Sequence, residues 1–283
     1  MAEVQIPQGT IRYREQGTGE PVVLVHGLLN NGLLWREVAD ELAKDFRVIS
    51  PDWPLGSQEL PMKEGTDLSP PGLAAIVAAF LEALDLRDVT LVGNDTGGAI
   101  CQLVVVNHPG RVGRLVLTPC DAYDNFLPPM FRPLQLAARV PGAVWLIAQS
   151  LRPRPARRLP FAFGWLSKRP LARDVSDAFL APVLGDRRIR REVAAVLRGI
   201  SPRHTEDAAR RFGEFDKPVL LAWAPEDRFF KLRDAERLSA EMPNARLVRI
   251  ENSRTFVSED QPERLAEEIA TFIGETTKPP TAE

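Results

Sequence analysis

Short apolar runs alternate along the chain with longer segments in which apolar residues return at helical spacing. Residues 21–25, 46–50, 88–93 and 114–118 read as strands, and 33–44, 72–86 and 97–107 read as the helices between them. Nearly continuous apolar strands in that order predict a mostly parallel sheet covered by helices on both faces. The rhythm breaks after about Ala122, where prolines and arginines punctuate short helical stretches such as 175–184 and 189–197. It resumes near Gly213 with a strand over 217–224, a helix over 232–241, a strand over 245–250 and a last helix over 262–272. The expected architecture is an α/β core made of residues 1–121 and 213–273, with an inserted helical cap at 122–212. The Thr/Pro/Lys/Glu-rich end, 274–283, lacks periodicity and reads as a flexible tail.

Composition narrows the function without naming it. With 283 residues, 44% hydrophobic and 26% charged, the chain can bury a sizeable core and does not resemble a disordered segment. A net charge of −2 excludes a generally basic nucleic-acid coat. That charge is unevenly divided. Residues 122–200 carry fourteen basic against five acidic side chains, a balance of +9, which leaves −11 for the rest. Such a cap is either a solvated surface or a place for an anionic ligand or an acidic surface; arginines beside the apolar stretches 144–147 and 161–163 also suit anionic lipid. The two cysteines, Cys101 and Cys120, lie inside apolar runs and exclude a disulfide framework or a Cys-rich zinc site. No metal or cofactor is implied. The first residues lack a basic, then apolar leader, and no apolar run reaches 18 residues, so the expectation is a cytoplasmic protein without a membrane span.

The chemistry concentrates in Leu91-Val92-Gly93-Asn94-Asp95-Thr96-Gly97-Gly98-Ala99, an apolar strand that meets a glycine-flanked turn and then a helix. Small residues at 93 and 97 let the strand turn sharply, which presents Asp95 at the helix N-terminus. The helix dipole and free N–H groups there favour a carboxylate able to attack an electrophilic carbon. Taken alone, the same residue is also an ordinary helix cap. An earlier strand, Val22-Val23-Leu24-Val25, ends in a His26-Gly27 turn, with Trp35 downstream. The segment Pro51-Asp52-Trp53-Pro54-Leu55-Gly56-Ser57 follows the next strand, and Asp227 follows the strand that ends near Trp223. In this order the chain resembles the α/β-hydrolase family over roughly residues 9–273. It is most similar to the branch with an aspartate nucleophile, which includes haloalkane and haloacetate dehalogenases and epoxide hydrolases.

The resemblance implies that Asp95 is the nucleophile, that the N–H groups of Leu28 and Thr96 form the oxyanion hole, and that Asp227 is the acid that orients a catalytic histidine. His26 would buttress the oxyanion loop. At the histidine's place the chain departs from the family: it reads Ile250-Glu251-Asn252-Ser253-Arg254-Thr255-Phe256-Val257, and the register set by residues 259–264 puts Thr255 there. No histidine follows His204. Arg254 stands where the family has a small residue. The halide-binding Trp and Asn of many haloalkane dehalogenases are replaced by Thr96 and Leu28, and the paired cap tyrosines of epoxide hydrolases are missing. Asn30, Asn31, Asp121, Tyr123, Asp124 and Trp145 are candidate pocket groups. Three readings follow, each with a small-molecule ligand. The first is a hydrolase-type enzyme acting on a small apolar electrophile with impaired ester hydrolysis, in which Glu226, Asp227 or His204 would have to help water. The second is a lyase, isomerase or cyclase that uses Asp95 as acid or base. The third is an inactive relative that binds a ligand.

Overall fold

The computed structural model describes residues 1–277. Eight strands form one sheet: β1 (Ala2–Ile6), β2 (Gly9–Gln16), β3 (Pro21–Val25), β4 (Arg47–Pro51), β5 (Val89–Asp95), β6 (Val112–Cys120), β7 (Val219–Trp223) and β8 (Ala245–Arg249). Their spatial order is β1-β2-β4-β3-β5-β6-β7-β8. Pairings β1–β2 and β2–β4 are antiparallel, and the rest are parallel. The core helices are α1 (Arg36–Leu42), α2 (Pro70–Ala83) and α3 (Thr96–Asn107) in the first half of the chain. The insertion carries α4 (Arg132–Ala137), α5 (Ala143–Ser150), α6 (Arg173–Gly185), α7 (Arg187–Gly199) and α8 (Pro202–Ala209). The second half of the core adds α9 (Leu232–Glu241), α10 (Val257–Asp260) and α11 (Pro262–Thr277).

The central strands β3 and β5 are apolar at nearly every position because helices cover both of their faces; Val22, Val23, Leu24, Val25, Leu91 and Val92 are all fully buried. The antiparallel hairpin β1–β2 was not expected from sequence. Its first strand lies at the sheet edge and is largely exposed, so it carries no continuous apolar run. Helix α2 starts where the sequence dictates: Ser69 accepts from the Gly72 N–H, and Pro70 and Pro71 occupy the first turn, where no N–H is required. The expected tail at 274–283 differs in its first part, because α11 continues to Thr277. The mostly buried Arg114 draws the helix onward, donating to the Thr276 and Thr277 hydroxyls at 2.6 Å each and pairing with Glu20 at 2.9 Å. The remainder of that segment, 278–283, lies outside the described residues.

Beneath α2, Phe80 is fully buried and meets Tyr13 and Trp53 edge-on, with ring centroids 5.5 and 5.1 Å apart. Phe80→Ala leaves a cavity that these rigid rings cannot fill, and is expected to cost about 3–5 kcal/mol in unfolding free energy, read by urea denaturation.

The insertion docks over the segments that follow the strands. Ser57, beyond β4, donates to the Phe179 carbonyl of α6 at 2.6 Å. Glu192 of α7 accepts from Gln58 and from the Met62 N–H at 2.6 and 2.7 Å. Near the end of the chain, the Asp260 carboxylate accepts from the N–H groups of Lys168, Arg169 and Arg254, which joins the cap to the turn before α10.

Candidate active site

The β5–α3 turn places Asp95 in an unusual backbone state, φ 53° and ψ −133°. A non-glycine residue pays roughly 1–3 kcal/mol for such a conformation, which the surrounding packing must supply. Close approach makes the turn possible. A Cβ at Gly97 would lie 2.4 Å from the Val25 and His26 carbonyl oxygens, and one at Gly27 would lie 2.2 Å from Asp95 Oδ2. Both positions therefore demand glycine, because β3 and its loop pass directly against the elbow. The N–H groups of Thr96 and Leu28 favour the charged form of the Asp95 carboxylate, and the residue as a whole is half-buried.

Burial is the main influence on Asp95 and pushes its pKa up to about 7; the Thr96 and Leu28 N–H groups oppose that shift, and the negative charge of Asp227 adds to it. Asp121, at the end of β6, is 1% exposed and is also raised by burial and by the charge of Asp95. Its carboxylate accepts from the Leu127 N–H at 2.9 Å and, more loosely, from the Thr96 hydroxyl at 3.4 Å.

Asp227 lies in the loop after β7. One of its oxygens accepts from the Phe229 and Phe230 N–H groups at 2.7 and 2.6 Å, and the other accepts from the Thr255 hydroxyl at 2.7 Å. Thr255 is fully buried, and its hydroxyl fills the donor role toward Asp227 without offering a base. Asn94, one residue before Asp95, holds the turn that carries Thr255: its amide donates to the Thr255 carbonyl at 2.7 Å, as well as to Thr118 and Pro119. On the cap side, the Phe256 N–H donates to the Leu166 carbonyl at 2.7 Å. Arg254 reaches the Gly164 and Ser167 carbonyls at 3.5 and 3.4 Å.

Residues 20–262 match the family model described as alpha/beta hydrolase fold. The chain belongs to the α/β-hydrolase fold family. Among characterised relatives, it is 28% identical to haloalkane dehalogenase 2 of Mycobacterium tuberculosis, over 94% of this chain and 92% of that protein. It is 24% identical to cis-3-alkyl-4-alkyloxetan-2-one decarboxylase of Shewanella oneidensis, over 94% of this chain and 86% of that one. The crystal structure of a putative ancestral haloalkane dehalogenase superposes with a TM-score of 0.80 at 22% identity, covering 98% of this chain and 99% of the other, a likeness of fold. The relatives are thus dehalogenase-like hydrolases at modest identity, with a non-hydrolytic name among them.

Within this hydrolase-fold chain the three histidines lie away from the position of a base between Asp95 and Asp227. His26 is fully buried at the end of β3: Nδ1 donates to the Gly27 carbonyl at 2.9 Å, Nε2 accepts from the Trp53 N–H at 2.9 Å, and burial lowers its pKa to about 4. It is a neutral brace. His108 is exposed at the end of α3. His204, on α8, is half-buried and has a pKa lowered by burial and by Arg203. Glu226 is held by Lys168 at 2.6 Å and by the Asn252 N–H, and these bonds lower its pKa.

The remaining candidates separate. Asn30 is buried, donates to the Leu28 carbonyl at 3.2 Å and leaves its Oδ1 without a partner, whereas Asn31 spends its Oδ1 on the Leu33 N–H as a helix cap. Tyr123 does not offer its hydroxyl to Asp95, since it donates to Glu241 at 2.9 Å under the Arg237 guanidinium. Asp124 shares that cleft with Tyr123, Arg237 and Glu241. Trp145 stands on the outside of the cap, 43% exposed. Helix α5 buries Val144 and Ala148 and therefore turns the following positions outward. The bracing role of Asn94 was missed in the sequence, although a carboxamide inside the buried strand β5 was a usable signal, because such a group must find partners.

Proposed function

We propose that Asp95 attacks a small apolar electrophile, such as an alkyl halide or an epoxide, and that hydrolysis of the resulting ester is impaired. A carboxylate oxygen forms the new C–O bond as the carbon–halogen bond breaks and halide departs with the electron pair. With an epoxide, the ring C–O bond breaks instead and the alkoxide takes a proton from solvent water, leaving hydroxide to the buffer. The observation that carries this reading is the carboxylate presented in a strained turn at the start of α3, near an Asp227 whose partner is a hydroxyl rather than an imidazole. Water attack on the ester requires a base, and Thr255 cannot act as one near neutral pH. Arg254 and Thr255 together form a self-consistent turn, in which one residue satisfies Asp227 and the other reaches the cap.

A second reading is favoured by the pKa of Asp95 near 7 beside the buried Asp121 and Asp227. A carboxyl that titrates at neutral pH suits proton transfer in a lyase, isomerase or cyclase, which forms no ester and needs no histidine. The name of the Shewanella relative, a decarboxylase, is in keeping with it.

Intact-protein mass spectrometry after incubation with haloalkanes, haloacetates and epoxides separates the two. The nucleophile reading expects a persistent adduct on the wild type that is absent from Asp95→Asn. Product formation that depends on Asp95, with no adduct at any time, would establish the proton-transfer reading in its place.

A further inference from the structure

Among the described residues, every exposed large apolar side chain other than Met1 lies between Met130 and Phe161, in the cap. Scattered apolar residues are ordinary on a protein surface, but confinement to one short segment is not. Helix α5 shows how the patch arises. Its inner face is Val144 and Ala148, while Trp145 and Leu146 face outward, with Leu146 62% exposed. Leu136 at the end of α4 and Val140 in the turn between the helices are about 60% exposed as well.

Beside this patch, Trp145 and Val140 line an open groove of about 620 Å³ between the α4–α5 turn and α7. Its charged lining consists of Arg139, Arg187, Arg190, Arg191 and Arg198, with no carboxylate. Arg190 donates to the Val183 and Leu184 carbonyls, and Arg198 to the Ala138 carbonyl. No ion pair or side-chain hydrogen bond engages Arg139, Arg187 or Arg191 among the described residues. Val140 and Trp145 thus share one groove with the free cations, and the groove gathers five of the fourteen basic side chains of residues 122–200.

We infer that this surface of the cap docks on an anionic phospholipid bilayer, with Trp145, Leu146 and neighbouring apolar side chains in the interface and the unpaired arginines on the headgroups. Two short helices with outward apolar residues, an aromatic ring at the boundary and arginines at the rim are what such an interface selects. A second copy of this chain fits less well, because face-to-face contact would bring the uncompensated arginines together. A small anion alone would leave the outward apolar positions without a partner.

The test is co-sedimentation of the full chain with vesicles of phosphatidylcholine alone and of an equal mixture of phosphatidylcholine and phosphatidylglycerol. Binding is expected to the mixed vesicles only, and to weaken as salt rises. Each arginine near an anionic surface contributes about fivefold in partition, so Arg139→Gln/Arg187→Gln/Arg191→Gln should lose about a hundredfold. Trp145→Ser/Leu146→Ser should lose at least about tenfold. All five side chains face solvent or the groove, and an unchanged melting temperature checks that the variants remain folded. Failure to bind mixed vesicles, or equal binding to both kinds, would overturn the inference. So would a wild-type dimer in light scattering that becomes monomeric in the Trp145→Ser/Leu146→Ser variant, or inorganic phosphate protecting the arginines without any vesicle binding.

Discussion

An ester on Asp95 is expected to break down about 10²- to 10⁴-fold faster in the double variant Arg254→Gly/Thr255→His than in the wild type, which is the usual contribution of a positioned general base. The geometry explains why the change has to be double. Asp227 already presents one oxygen to position 255, where it accepts from the Thr255 hydroxyl at 2.7 Å, and its other oxygen is fixed by two N–H groups. An imidazole N–H at the same place would inherit a prepared acceptor, leaving its second nitrogen free to take a proton from water. The obstacle is space. Thr255 is fully buried, and the Arg254 side chain reaches the cap carbonyls of Gly164 and Ser167. Removing Arg254 slackens that contact and lets the turn accept a larger ring. The experiment follows adduct mass against time after excess electrophile is removed. An unchanged adduct lifetime in a folded variant would show that the lack of an imidazole beside Asp227 is not what limits breakdown. Thr255→Gly with added imidazole asks the same question without inserting a bulky side chain, and acceleration in proportion to imidazole is the expected outcome.

The parts of the molecule legible in its sequence are those in which one local rule acts almost alone. The alternation of buried strands and helices fixed the α/β class, because strands covered on both faces must be apolar throughout. The Asp95 turn was legible because Gly93 and Gly97 flank a single charged residue at the end of an apolar strand. Thr255 could be set in the turn that faces Asp227 because the sequence that follows, Glu259 to Arg264, leads into the start of α11. What stayed hidden depends on partners distant in the chain. The hairpin β1–β2 gains its place by pairing with β4 rather than by burying a run of its own. The extension of α11 to Thr277 reflects the demand of Arg114, over 160 positions earlier, for acceptors. The directions of Tyr123 and Trp145 followed from Glu241 and from the packing of α5, neither of which is visible in the residues beside them. Arg254 was legible as a departure, but its contact with the cap was not.

The rate at which Asp95 is alkylated should rise about tenfold per pH unit below about 7 and level off above it, because only the ionised carboxylate attacks. The stability of the protein should change in the opposite sense. Burial raises the folded-state pKa of Asp95 above its unfolded value of roughly 4, so the folded state binds the proton more tightly. The stabilising effect of that proton is fully present below the unfolded pKa and is lost as pH rises through about 7. In Asp95→Asn the side chain stays neutral, so this loss disappears. The variant should therefore gain on the wild type progressively between about pH 4 and pH 7 and hold its advantage above, by about 1–3 kcal/mol once partial exposure and the neighbouring carboxyls are allowed for. Asp121 and Asp227 are also raised by burial, and they titrate in both proteins; the difference between wild type and variant therefore isolates Asp95 and its coupling to them. Urea unfolding of the two proteins across this range measures the stability gap, and adduct formation under the same conditions measures the rate. A rate that is flat from about pH 5 to pH 8 would place the ionisation of Asp95 well below neutrality, and the stability gap should then vanish with it, since both follow from the same proton.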